Sequence, residues 1–187
     1  MGLIARLTVV GCLLLWALPA LAAPADQTLA IRESDASYLL TVPVSRLVMA
    51  IPKGGLEIEK AAGSGSTASP RYFQFFDRKR GVVASGWFES AQSYGGFDAF
   101  WKGETDAWVK AHLPAPVHVS FAKRDGWETV SYDLEIPGGY NTHIRAEYVD
   151  QGTWIDLHIS ATTAASIESA RESALGLLKS IRVTAVP

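Results

Sequence analysis

Residues 117–136, VHVSFAKRDGWETVSYDLEI, and residues 144–160, IRAEYVDQGTWIDLHIS, decide how this chain folds, because each reads as a β-hairpin whose register its own residues specify. In the first, Val117, Val119 and Phe121 are apolar at odd positions, whereas after Asp125-Gly126 the apolar set Val130, Tyr132, Leu134 and Ile136 is even. Only an even-numbered loop keeps both sets on one face, and Asp-Gly is the strongest two-residue hairpin signal. It pairs Phe121 with Val130, Val119 with Tyr132 and Val117 with Leu134. The other face then sets His118 against Asp133 and Ser120 against Ser131. In the second hairpin a Gln151-Gly152 turn places Ile144 opposite Ile159, Ala146 opposite Leu157 and Tyr148 opposite Ile155. Arg145 then faces His158, and Glu147 faces Asp156.

Joining the two hairpins through a loop at Pro137-Gly138-Gly139-Tyr140-Asn141, with Leu134 kept beside Ile144, makes a four-strand meander. Asp133 then lies beside Arg145 and Glu135 beside His143. The polar face becomes a lattice of His118, Asp133, Glu135, His143, Arg145, Glu147, Asp156 and His158. Within it His118, Asp133, Arg145, Glu147, Asp156 and His158 are the candidate ligand or metal residues. They bring together nitrogen and oxygen groups of the kind a divalent metal takes, and an imidazole beside a carboxylate is the minimum for acid–base work. The more ordinary reading of the same residues is cross-strand ion pairing on a solvated face, with Arg145 neutralising Asp133 and its neighbours. Glu147 opposite Asp156 stands out in either case. Like charges directly opposed are unfavourable, so the pair relies on Arg145 and His158 or is kept for a cation. Trp127 and Trp154 each follow a hairpin turn at an exposed parity. They are candidate binding-surface aromatics, or caps on the sheet ends.

Before the meander, Tyr38–Val44 and Arg46–Ile51 read as short strands interrupted by Pro43 and closed by Pro52-Lys53-Gly54-Gly55, and Leu56–Glu59 extends the second. Arg71–Asp77 and Val82–Glu89 form an aromatic hairpin around Arg78-Lys79-Arg80-Gly81. Phe97–Leu113 is an amphipathic helix with Phe97, Phe100, Trp101, Trp108 and Ala111 on one side, expected to pack its aromatics on that hairpin. A second helix over Ser166–Lys179, capped by Ser166, carries the stripe Ile167, Ala170, Ala174, Leu177 and Leu178, and is the expected cover for the apolar face of the meander. Ile181–Val183 reads as a last short strand. The fold class is therefore α+β, with an antiparallel sheet of about six or seven strands.

The N-terminus reads as a secretory signal: Arg6, an apolar run over Leu7–Leu15, then Ala20-Leu21-Ala22 before Ala23-Pro24, with cleavage near Ala22-Ala23. The alternative, a lipobox around Cys12, fits less well because the longer apolar part follows the cysteine. Residues 23–37 form a polar leader and residues 38–187 one domain. Cys12 is the only cysteine, so its removal leaves no disulfide and no thiol chemistry. With Arg6 gone, 16 basic and 19 acidic residues give a net charge of −3, which gives no reason to expect nucleic acid as a partner. The stretch Ala61–Pro70, containing Gly63-Ser64-Gly65-Ser66, lacks the Lys of a phosphate-binding loop and reads as a linker. No Gly-x-Ser-x-Gly or His-Glu-x-x-His is present, and Ser120 and Lys123 fall on opposite faces of their strand.

A strand pair ending in Ile51-Pro52-Lys53-Gly54, an aromatic hairpin, one long helix, a meander and a terminal helix running into Leu178-Lys179-Ser180-Ile181-Arg182-Val183 resembles the PsbP-like family. The resemblance implies an α/β sandwich and members that act mostly as accessory, assembly or binding proteins; it transfers no catalytic residues. The strongly polar outer face of the meander is where this chain departs from a sheet covered on both sides. The expectation is an exported, non-enzymatic binding or accessory protein whose partner is another periplasmic or envelope protein. No cofactor is expected, a divalent metal on the lattice being the exception that its ligand types allow. The alternative is a metal-dependent or acid–base hydrolase working on the polar face.

Overall fold

The computed structural model describes residues 28–59 and 71–186. The stretch read as a secretory signal, with Cys12 and the expected cleavage near Ala22-Ala23, and the stretch Ala61–Pro70 read as a linker lie outside these residues. The strands are β1 (Ala30–Glu33), β2 (Ser37–Thr41), β3 (Leu47–Pro52), β4 (Glu57–Ile58), β5 (Tyr72–Asp77), β6 (Val82–Ser90), β7 (Val117–Arg124), β8 (Trp127–Ile136), β9 (Gly139–Asp150), β10 (Thr153–Thr163) and β11 (Arg182–Ala185). Helix α1 (Phe97–Lys110) follows β6, and α2 (Ile167–Ser180) follows β10. They form an antiparallel seven-stranded sheet in the order β4-β5-β6-β10-β9-β8-β7 and a four-stranded sheet in the order β1-β2-β3-β11. The chain is thus α+β, an α/β sandwich, with its strands divided between two sheets rather than collected in one. β1 arises within the stretch read as a polar leader, where Ile31 pairs with Leu40.

One face of the large sheet builds the core. Phe73, Phe75, Ala84, Phe88, Ile144, Ala146, Ile155, Leu157 and Ile159 meet Leu40, Leu47, Met49 and Ile51 of the small sheet and Ala170, Ala174, Leu177 and Leu178 of α2. The tilted stack of Tyr38 on Phe75 at 4.9 Å and the bond from the Tyr38 hydroxyl to the Leu56 carbonyl, 3.0 Å, fix the two sheets against each other. α2 begins where the sequence places its cap, the Ser166 hydroxyl accepting from the Ser169 amide at 3.1 Å. Its small residues let the helix approach β9 and β10 closely, and it covers the apolar face as expected.

The β9–β10 register is the one read from parity, Ile144 with Ile159, Arg145 with His158, Glu147 with Asp156 and Tyr148 with Ile155. Both turns also form. Asp125 and Gly126 take φ of 50° and 86°, and Gln151 and Gly152 take 47° and 73°, the conformation that matches hairpin twist.

Three expectations are corrected. In β7, Phe121 does face Val130 and Ser120 faces Ser131, but the register shifts between Val117 and Ser120, so Val117 faces Asp133 instead of Leu134. His118, at φ 53°, sits in that bulge. Between β8 and β9 the loop is only Pro137-Gly138, with Gly138 at φ 74°, and Ile136 pairs with Gly139. This moves every β8 side chain to the face opposite the one expected: Val130 pairs with Arg145, Tyr132 with His143 and Leu134 with Asn141, while Asp133 pairs with Thr142 and Glu135 with Tyr140. Leu134 is therefore not beside Ile144, nor Asp133 beside Arg145. Finally, the α1 aromatics do not pack on the β5–β6 hairpin. Phe97 and Trp101 meet Phe121 of β7 at 6.2 and 6.1 Å, and Trp101 and Trp108 meet Tyr132 of β8 at 5.5 and 5.0 Å. The slip makes this possible, since it delivers Val130 and Tyr132 to the outer face, where α1 needs apolar partners. Both faces of the meander are thus covered, α1 outside and α2 within.

Candidate functional site

Beneath α1 the outer face of the sheet is ordered in rows that run across the strands. One row is Glu128 of β8, Glu147 of β9, Asp156 of β10 and Trp87 of β6; the next is Val130, Arg145, His158 and Ser85; the third is Tyr132, His143 and Ser160. Adjacent strands lie about 5 Å apart, so each row places its polar groups within contact distance.

Arg145 is the hub. Its Nη2 donates to both oxygens of Asp156 at 3.0 and 2.9 Å, and its Nη1 lies 3.3 Å from Oε2 of Glu104, which descends from α1. The guanidinium also stacks over the Phe100 ring at 4.9 Å. The lattice is therefore not a solvated face: Glu147 is 1% exposed and Asp156 7%. Burial and the neighbouring Asp156 charge push the Glu147 carboxyl up to about 9, despite the Trp154 hydrogen bond and the Arg145 charge that work against the shift. Glu147 thus holds a proton at neutral pH. Its Oε2 accepts from the Trp154 indole at 2.5 Å, and its other oxygen has no partner among the described residues if ionised. A proton makes that oxygen a donor toward Asp156. Asp156 is itself raised, by burial first, with Arg145 opposing and Glu104 adding.

A second chain of polar contacts runs beside this hub. The Asn141 amide nitrogen donates to Thr162 Oγ1 at 2.8 Å, which leaves its Oδ1 to accept from Nε2 of His143. His143 Nδ1 must then be an acceptor, and it takes the proton of His158 Nε2 at 2.8 Å. Both imidazoles are held neutral: burial, joined by the Arg145 charge, lowers His143 to about 4 and His158 to about 3. The Tyr132 ring lies parallel to His143 at 5.0 Å.

The remaining candidates lie elsewhere. Asp133 is on the inner face, where Arg171 of α2 donates to it through Nε at 3.2 Å and through Nη2, and the Thr142 hydroxyl donates at 2.6 Å. Burial works against its charge, but these bonds and the Arg171 charge hold it below the usual carboxylate range. His118 reaches Asp133 from the bulge, Nδ1 to Oδ2 at 3.0 Å, so that pair survives the change of register. Trp127 is 3% exposed, not at the surface, and packs on Tyr148 at 5.3 Å. Trp154 is half-buried between Glu147 and Tyr94, 5.3 Å away, whose hydroxyl donates to Glu128 at 3.1 Å. Glu128 pairs in turn with Lys123. The structure therefore unites Arg145, Glu147, Asp156 and His158, and separates Asp133 and His118 from them. It adds Glu104, Asn141, His143 and Tyr94, which were not among the candidate residues. Glu104 carried a signal, as a charge on the aromatic side of an amphipathic helix.

Among the described residues, no three His, Cys, Asp or Glu side chains converge so as to hold a metal ion. Above the row of carboxylates, where the first turn of α1 meets β7 and β8, an open cleft of about 750 Å³ is lined by Gly95, Gly96, Phe97, Phe121, Lys123 and Glu128 among others. No helix among the described residues is long and apolar enough to cross a membrane.

No family model matches this sequence, and no curated protein does. A 1.50 Å crystal structure from Bacteroides thetaiotaomicron superposes over 74% of this chain and 45% of its own, with 12% identity and a TM-score of 0.43. The chain spans less than half the length of that protein.

Proposed function

We propose that this is an exported binding or accessory protein of PsbP-like type, whose partner is another protein of the envelope. The observation that supports this reading is the disposition of the outer face. Its charged groups are committed to one another beneath α1, while what faces outward is the open cleft with Phe121 57% exposed at its rim. A shallow cleft with mixed polar and apolar walls suits side chains of a protein partner better than a small molecule, which favours an enclosed cavity. The test is affinity capture from the native periplasm with the mature protein and with Phe121→Asp. A partner held by the former and lost by the latter supports the reading. Equal capture by both, or steady turnover of a substrate by the pure protein, overturns it.

One observation favours a second reading, an acid–base hydrolase on the same face. Glu147 and Asp156 are neighbouring carboxyls, one protonated and one paired with Arg145, which is the split that general acid–base pairs show. This reading requires hydrolytic activity that disappears in Asp156→Ala and His158→Ala while both variants remain folded.

A further inference from the structure

We propose that α1 is an acid-released cover: protonation of the His143–His158 pair unseats the helix and bares the aromatic surface of β7 and β8. The attachment of α1 is slight. It contributes no fully buried side chain, and the only described ion pair from it to the sheet is Glu104 with Arg145. It is preceded by Gly95-Gly96, with Gly96 at φ 95° and no heavy atom within 4 Å of where a Cβ would stand, so no side chain packs at Gly96 to hold the entry to the helix. The seat of the helix is Tyr132, which carries Trp101 and Trp108 on one side and lies parallel to His143 on the other.

The histidine relay is what makes the seat sensitive to acid. Asn141 fixes the proton of His143 on Nε2, so Nδ1 must stay bare to accept from His158. When both rings are doubly protonated, the N–H groups at His143 Nδ1 and His158 Nε2 oppose each other at a 2.8 Å contact, and the rings must part. The charges facing the pair give a cation no welcome. From β9 Arg145 stands beside both rings, from β10 Asp156 is already engaged by Arg145, and Glu147 is neutral. Tyr132 and Glu128 face outward from β8, Tyr94 is bonded to Glu128, and Trp87 and Ser85 of β6 are uncharged. Only Asp133 favours the charged form of His143, from the opposite face and already held by Arg171. α1 itself offers Glu104, which is bound to Arg145. Separation of the rings therefore displaces Tyr132 and the two tryptophans on it. The inference is independent of what the cleft binds.

The test is amide hydrogen exchange of the whole mature protein from pH 7 to about 2.5, below the values of both histidines, read as protection factors so that the intrinsic pH dependence is removed. Residues 97–110 should lose protection at a higher pH than β9 and β10, which stay protected. Loss of protection by all three together overturns the proposal. Glu104→Gln, which removes the clamp without touching the histidines, should lower protection in α1 at least tenfold at pH 7 and leave β10 unchanged; an unaltered α1 overturns the proposal. His143→Asn with His158→Gln should move the release of α1 to lower pH. An unmoved midpoint in that folded variant also overturns it.

Discussion

Glu147 and Asp156 stand directly opposite each other on β9 and β10, two carboxyls side by side with almost no access to water. Coulomb repulsion in so dry a place is severe, and the arrangement is tolerable because one member keeps its proton and the other is gripped by Arg145. Stability should therefore depend on pH through Glu147. Its folded value of about 9 lies above the ordinary 4.5, so above pH 4.5 the unfolded chain releases the proton first and stability is progressively lost until about pH 9. Glu147→Gln keeps the shape and the donor but cannot ionise. Relative to the native protein it should gain about 1.4 kcal/mol per pH unit across that window, an upper figure for one proton. Urea unfolding at pH 6, 7 and 8 measures it, and a constant difference contradicts the assignment.

The histidines act in the opposite direction. Both are held below 6.5 in the folded state, so as pH falls through 6.5 the unfolded chain takes up protons that the folded chain refuses, down to about 4 for His143 and 3 for His158. Stability from this source is complete above pH 6.5 and lost in acid. His158→Gln removes one of the two protons. Its stability relative to the native protein should therefore rise as pH falls from 6.5 to 4.5, a window above the range in which the paired carboxylates Asp77, Glu128 and Asp133 begin to titrate. Parallel pH–stability curves for the two proteins argue against a buried neutral imidazole at this position.

Loss of Arg145 leaves a buried charge unpaired. Removing it strands Asp156, whose two oxygens it serves, and a broken buried ion pair typically costs about 3–5 kcal/mol. Arg145→Met should lose that much in denaturant melts. The double variant Arg145→Met with Asp156→Asn should recover a large part, because the orphaned charge is then gone. Additive losses in the double variant rule out the coupling.

Much of this arrangement was legible in the residues. Strict alternation of apolar and polar side chains in β9 and β10, together with a two-residue Gln151-Gly152 turn, leaves a single register that buries Ile144, Ala146, Leu157 and Ile159 at once. Ser166 ahead of an amphipathic run marks α2 in the same local way. What failed was the junction of β8 and β9. Counting Pro137-Gly138-Gly139-Tyr140-Asn141 as a loop assumed that the apolar residues of β8 face the core, whereas Pro-Gly alone makes the turn and Gly139 already pairs with Ile136. The missing information was tertiary: Phe97, Trp101 and Trp108 on α1 require an apolar surface, and only even-numbered β8 residues on the outer face supply it. With that slip the polar lattice split in two. Its Arg145 half went under a helix that local periodicity could not dock, and Asp133 went to Arg171 of α2, 38 residues away in sequence.

The slip itself can be tested covalently, because Cys12 is the only cysteine, and in a Cys12→Ala background an engineered pair has no competitor. Glu135 and Tyr140 are both exposed and directly opposite each other across the Pro137-Gly138 turn. Opposed cross-strand residues have Cβ atoms about 4.5–5.5 Å apart, close to the span of a disulfide. The Glu135→Cys, Tyr140→Cys variant should oxidise fully in air with its melting temperature unchanged or higher. The Glu135→Cys, His143→Cys variant corresponds to the register with a five-residue loop. In the observed register these two residues point to opposite faces of the sheet, since His143 is the partner of Tyr132, so this pair should remain reduced in the folded state. Thiol counting on the native proteins separates the two outcomes. Ready oxidation of the second pair and not the first restores Asp133 to the side of Arg145, and with it α1 loses its seat on Tyr132.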